Sequence, residues 1–121
     1  MSNPNATPTT LAYRNHVAVC AATGGTLSKA AWMCFGSGSK PYSPDEDVGL
    51  VDEFARVPVV CNVAGTVLTV SGTLTGAMAG NHVLREFSVE TDTGVLMGRR
   101  VVKPKEFEST SEIELDLDFE Y

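Results

Sequence analysis

Across its 121 residues the sequence has one Trp, two His and three Cys, and no Lys or Arg after Lys105. No apolar stretch approaches the roughly 20 residues a bilayer crossing needs, which excludes a spanning helix. The start, Met1-Ser-Asn-Pro-Asn-Ala-Thr-Pro-Thr-Thr10, has neither a basic n-region nor an apolar h-region. No secretory signal is expected, and the chain reads as a soluble protein made and folded in the cytosol. The cysteines are odd in number and sit in apolar surroundings (VAVCAA, AAWMCFG, VPVVCNV). Cys20, Cys34 and Cys61 are therefore expected as reduced packing thiols, not as a disulfide framework. Clustered cations are also scarce. Only Arg99, Arg100, Lys103 and Lys105 form a basic group, and acids follow at once, which argues against nucleic acid as the main partner.

What is present is one domain's worth of apolar sequence, 43% of residues, enough to exclude a wholly disordered chain. The formal charge of −6 is unevenly placed. Residues 1–105 hold all nine Lys and Arg against eight acids, a net of +1, whereas residues 106–121 hold seven acids and no base.

Residues 1–9, with two Pro, two Asn and no apolar period, read as a flexible arm. Thr10 is placed to cap a helix over Leu11 to Ala22 that stops at Gly24-Gly25, with a strand as the alternative that Val17 and Val19 leave open. Lys29 to Phe35 reads as a strand buried on both faces, with Trp32 as a core anchor. The segment Gly36 to Ser43 is a loop. Ser43-Pro44-Asp45-Glu46 then combines an N-cap, a Pro at the first helical position and a capping-box Glu, predicting a second helix to about Arg56. From Val57 the period becomes two. Strands are predicted at Val57–Asn62, Thr66–Thr75, Val83–Glu90, Val95–Val102 and Ser111–Tyr121, with Asp92-Thr93-Gly94 as a hairpin turn. In the last strand Ile113, Leu115, Leu117, Phe119 and Tyr121 alternate with Glu112, Glu114, Asp116, Asp118 and Glu120. The expected class is α+β: a predominantly antiparallel, sandwich-like domain over residues 10–121, with two helices from the N-terminal half.

No catalytic pattern emerges. Ser37 and Ser39 lie in a glycine loop, but G-x-S-x-G is absent, and so is the spacing of a phosphate-binding loop. His16 and Cys20 would share a helical face as two ligands, yet Cys34, Cys61 and His82 form no metal-binding unit with them. The acids of the last strand, about 7 Å apart along a flat face, do not wrap a calcium ion, and neither does Asp45-Glu46-Asp47. They suit a solvated edge that discourages aggregation. The Thr69 to Thr75 hydroxyl stripe suits an exposed strand surface, with a glycan site as the sharper alternative. No enzyme, cofactor or metal is expected.

Read together, Ala31-Trp-Met-Cys-Phe-Gly-Ser-Gly38, Gly49-Leu-Val-Asp-Glu-Phe-Ala-Arg56, Arg85-Glu-Phe-Ser-Val89, Gly94-Val-Leu-Met-Gly-Arg-Arg100 and the final amphipathic strand resemble the tail-collar or tail-fibre attachment domain of tailed bacteriophages. Leu50, Glu53 and Arg56 match that family's L-x-x-E-x-x-R helix. Glu86, Gly94, Leu96 and Arg100 match its hairpin, with Val89 where the pattern has Leu. The resemblance implies a virion protein, non-catalytic, that docks a fibre or a neighbouring tail protein. Because the sequence given reaches only Tyr121, an adaptor, collar or baseplate role is expected over host recognition. A symmetric homo-oligomer is expected. The acidic face of Glu112, Glu114, Asp116, Asp118 and Glu120 would pair with Arg99, Arg100, Lys103 and Lys105, within the sheet or between subunits. A glycan-binding module and a capsid decoration protein are the alternatives.

Overall fold

The computed structural model describes residues 6–121. Thr10 caps helix α1 (Leu11–Thr23), its hydroxyl accepting from the Tyr13 amide, and Gly24 closes the helix in the left-handed conformation. Seven strands follow: β1 (Ala30–Gly36), β2 (Glu53–Pro58), β3 (Val60–Ala64), β4 (Val67–Thr75), β5 (Leu84–Thr91), β6 (Leu96–Lys105) and β7 (Glu112–Glu120). A single helical turn, α2 (Gly76–Ala79), links β4 to β5. All pairings are antiparallel, in two sheets of order β2-β1-β5-β6 and β3-β4-β7. The expected α+β, sandwich-like class is borne out. Met33, Phe35, Phe87 and Val89 from the first sheet meet Val70, Leu74, Leu117 and Phe119 from the second in the buried core. In β7 the alternation works as expected at its C-terminal half, where Leu117 and Phe119 are buried.

Two connections tie the sheets together. Pro58 ends β2, Val59 donates to the Ala31 carbonyl (3.2 Å), and the chain crosses to the second sheet as β3. Pro58 thus sits on an edge strand at a corner, where its missing N–H costs nothing. On the far side, residues 7–10 bridge β7 to β6. The Thr7 amide donates to the Asp118 carbonyl (2.7 Å) and the Thr10 amide to the Met97 carbonyl (3.0 Å). Of the arm expected over residues 1–9, residues 1–5 lie outside the described residues, and Thr7 is buried.

The second helix is the main correction. Only one turn forms after Ser43, with the Glu46 and Asp47 amides donating to the Ser43 carbonyl. The chain then runs irregularly to β2, which begins at Glu53 inside the expected helix. The reason is competition for backbone donors. In a helix the amides of Val51 and Asp52 would donate four residues back; here both donate to the buried Glu86 carboxylate. The helical content is therefore α1 and the later turn α2, not two helices from the N-terminal half.

Two further expectations change. Trp32 is no core anchor, being 36% exposed between its pairing partners Pro58 and Glu90, while Met33, Cys34 and Phe35 are fully buried. Cys61 is not a core thiol but is exposed on β3; Cys34 is buried and Cys20 half-buried, all three free. The Asp92–Gly94 turn forms as expected, Gly94 taking φ +85° and donating to the Thr91 carbonyl. Among the described residues no helix is long and apolar enough to cross a membrane.

Candidate functional site

A network of paired charges lies beneath the 37–52 loop. Glu86, with no exposed surface, accepts four hydrogen bonds: from the amides of Gly38 (2.8 Å), Val51 (3.0 Å) and Asp52 (2.9 Å), and from Arg99 Nε (2.9 Å). Arg99, equally buried, also donates to Asp47 Oδ2 (3.3 Å) and to the Lys40 carbonyl (2.7 Å). Asp47 accepts in addition from Lys40 Nζ (2.8 Å) and the Ser43 amide (3.0 Å). Burial alone would raise the Glu86 carboxyl, but the Val51, Asp52 and Gly38 amides and Arg99 outweigh it and hold the group below the ordinary range. Asp47 is lowered in the same way, its desolvation outweighed by Lys40, Ser43 and Arg99. Glycines permit the approach: a Cβ on Gly36 or Gly38 would come within 2.5 Å of Glu86 Oε2.

This arrangement sorts the residues singled out from sequence. Glu86, expected only as a hairpin position, is the hub of the network. Arg99 belongs to that network and not to a surface cation cluster, which leaves Arg100, Lys103 and Lys105 as the exposed members. Glu53 and Arg56 do meet, through two hydrogen bonds of 2.8 and 2.9 Å, but on strand β2 and not on a helix. Leu50 lies in the preceding irregular segment, and Leu96 is buried at the start of β6. Sequence reasoning missed Asp47 and Lys40 as network members. The signal available was Asp47 directly after the capping turn, one turn from Ser43.

The two charged strands lie in different sheets, β6 in one and β7 in the other, so they do not pair as neighbours within a sheet. On β7, Glu112, Glu114 and Asp116 are exposed, while Asp118 and Glu120 are half-buried. Asp118 Oδ1 accepts from Thr69 of the hydroxyl stripe (2.7 Å).

The residues weighed for chemistry take structural partners. The Ser37 hydroxyl donates to the Val83 carbonyl (2.7 Å). His16 Nε2 accepts from the Ser28 amide (2.9 Å), with Cys20 Sγ 3.8 Å away. His82 donates through Nδ1 to the Ala79 carbonyl (3.0 Å) and stacks on Phe54 at 4.7 Å. Cys34, Glu53 and Glu90 bring three possible metal-binding atoms within 4.8 Å of one another. Arg56 already reaches both carboxylates there, at 2.8 Å from Glu53 and 3.6 Å from Glu90. Burial pushes the Cys34 thiol up to about 12, helped by Glu90 and Glu53. It is a neutral, unreactive thiol.

A different surface is apolar. An open groove of about 720 Å³ runs between α1, the 27–30 segment and the β3–β4 hairpin, with Tyr13, Val17, Leu27, Val63, Leu68 and Tyr121 among its walls. Among the described residues Lys29 is the one charged side chain lining it. Comparison with known proteins gives no match to any family model, to any curated protein or to any solved structure.

Proposed function

We propose that this chain is a non-catalytic structural protein of a bacteriophage tail, a collar, baseplate or fibre adaptor that docks fibres or neighbouring tail proteins. The reading rests on the resemblance of five spaced segments to the tail-collar and tail-fibre attachment domains. The observation that carries it is the convergence of four of those segments, all but the final strand, on one network. The glycine loop after β1, the segment before β2 and the Glu86 strand are far apart in sequence, and the Glu86 carboxylate binds backbone from the first two directly. A buried carboxylate that pins backbone from two distant segments suits a docking part, since its surface must keep one shape through assembly. Particles imaged with the chain tagged or labelled test the reading. Density for the chain at the tail supports it, a position in the head lattice replaces it with capsid decoration, and absence from particles refutes both.

A further inference from the structure

We propose that the outer edge of β3 is a self-association surface, at which a second copy of this chain adds its own β3 in antiparallel register across a twofold axis perpendicular to the sheet. The inference takes from the sequence reading only the expected homo-oligomer, and from the tail reading nothing. Its evidence is separate and lies in the charge map of the fold.

β3 pairs with β4 on one side, and among the described residues no strand pairs with the other. All five of its residues are exposed, Val60 by 71% and Val63 by 68%. Folded monomers ordinarily guard such an edge with Lys, Pro or an inward charge, because its free N–H and C=O groups template pairing with another chain. β3 has no such guard. From Val57 to Leu84 the sequence has no Asp, Glu, Lys or Arg. A second uncharged run, Asn15 to Ser28, supplies Val17 and Leu27 to the same face, where they line the groove beside β3.

The rest of the molecule tells against other self-contacts. The chain carries −6, so two copies repel. The opposite edge of the same sheet, β7, presents carboxylates that would face carboxylates in any symmetric pairing. Joining at β3 gives a six-stranded sheet of order β7-β4-β3-β3-β4-β7. The two acidic strands then stand five strand spacings apart, roughly 24 Å. Screening at physiological salt acts over about 8 Å, so their repulsion is largely removed.

The groove favours the same partner. Cys61 and Val63 pair with Val70 and Leu68, so they lie on the core-facing side of the sheet and project into the groove. A twofold axis perpendicular to the sheet keeps both copies' core-facing sides together. The two grooves then become one apolar space roofed by both α1 helices.

The test is the mass of the purified full chain by light scattering, in wild type and in Val63→Lys. Wild type is expected at twice the 12.9 kDa chain mass or an even multiple of it, unchanged between low and molar salt. Val63→Lys is expected at a lower mass, with an unaltered circular dichroism spectrum and melting temperature, because Val63 packs little within its own chain. In a Cys20→Ser background, a short bis-maleimide is expected to link Cys61 to Cys61 of the second copy, and not when Val63→Lys is added. A monomeric wild type, a mass insensitive to Val63→Lys, dissociation in molar salt or a cross-link that survives the substitution each overturn the proposal. Particle imaging decides the tail reading independently: a monomer found at the tail refutes this inference alone, and a β3-paired dimer absent from particles refutes that reading alone.

Discussion

Glu86 on β5 and Arg99 on β6 meet at 2.9 Å with neither side chain exposed, and between them they hold both ends of the 37–52 loop against the first sheet. A buried ion pair contributes little net stability compared with a well-packed apolar pair, but removing one partner leaves an uncompensated charge. In this fold the pair's role is conformational: it fixes where a loop without regular structure lies.

Glu86→Ala is therefore expected to lower unfolding stability by about 3–5 kcal/mol, as read from urea denaturation. Glu86→Leu combined with Arg99→Met is expected to recover only part of that loss, because the amides, the Lys40 carbonyl and Asp47 still lose their partners. Because the Gly38, Val51 and Asp52 amides lose their acceptor in both cases, amide exchange in the loop is expected to accelerate even in the double variant.

How much of this was legible in sequence follows from the range of the forces involved. The β7 alternation, the Thr10 cap and the Asp92–Gly94 turn are local, and they formed where predicted. The Ser43 capping signal is also local and does form its turn, yet it cannot anticipate that Glu86, more than thirty residues on, takes the amides a helix would need. The same distant carboxylate turned a helix motif into β2. Arg99 looked like surface because it stands beside Arg100, while strand alternation puts the two on opposite faces.

Acid should unfold the protein through this network. Glu86 and Asp47 both have folded values below their ordinary ones, so the unfolded chain takes up protons first. Their contribution is complete above about pH 4.5, the ordinary Glu value, and is lost as pH falls through the lower folded values. The urea midpoint is expected to hold steady from neutral pH to the ordinary carboxylate range and then to drop steeply as pH falls below it. Glu86→Gln is expected to begin lower and fall less.

The glycine loop makes a steric prediction. A Cβ on Gly38 would meet the Val51 side chain and Glu86 Oε2, whereas one on Gly49 meets nothing within 4 Å. Gly38→Ala is expected to cost about 1–3 kcal/mol through overpacking. Gly49→Ala, in the same irregular segment, is expected to change stability by less than about 0.5 kcal/mol. Thermal melts of the two variants side by side check this.

The three thiols should react in an order set by access and by proton affinity. The thiolate is the reactive species, and Cys34 is both inaccessible and pushed up to about 12 by burial and the neighbouring Glu90 and Glu53. Cys20, half-buried, points its sulfur at the Thr26 carbonyl at 3.5 Å. Cys61 is also raised by desolvation, but it stands exposed on the β3 edge. Pulsed iodoacetamide labelling read by peptide mass spectrometry is expected to modify Cys61 first, Cys20 more slowly and Cys34 only after denaturant is added. Rapid native labelling of Cys34 would mean that the Glu53, Arg56 and Glu90 side chains around it open freely, contrary to its full burial.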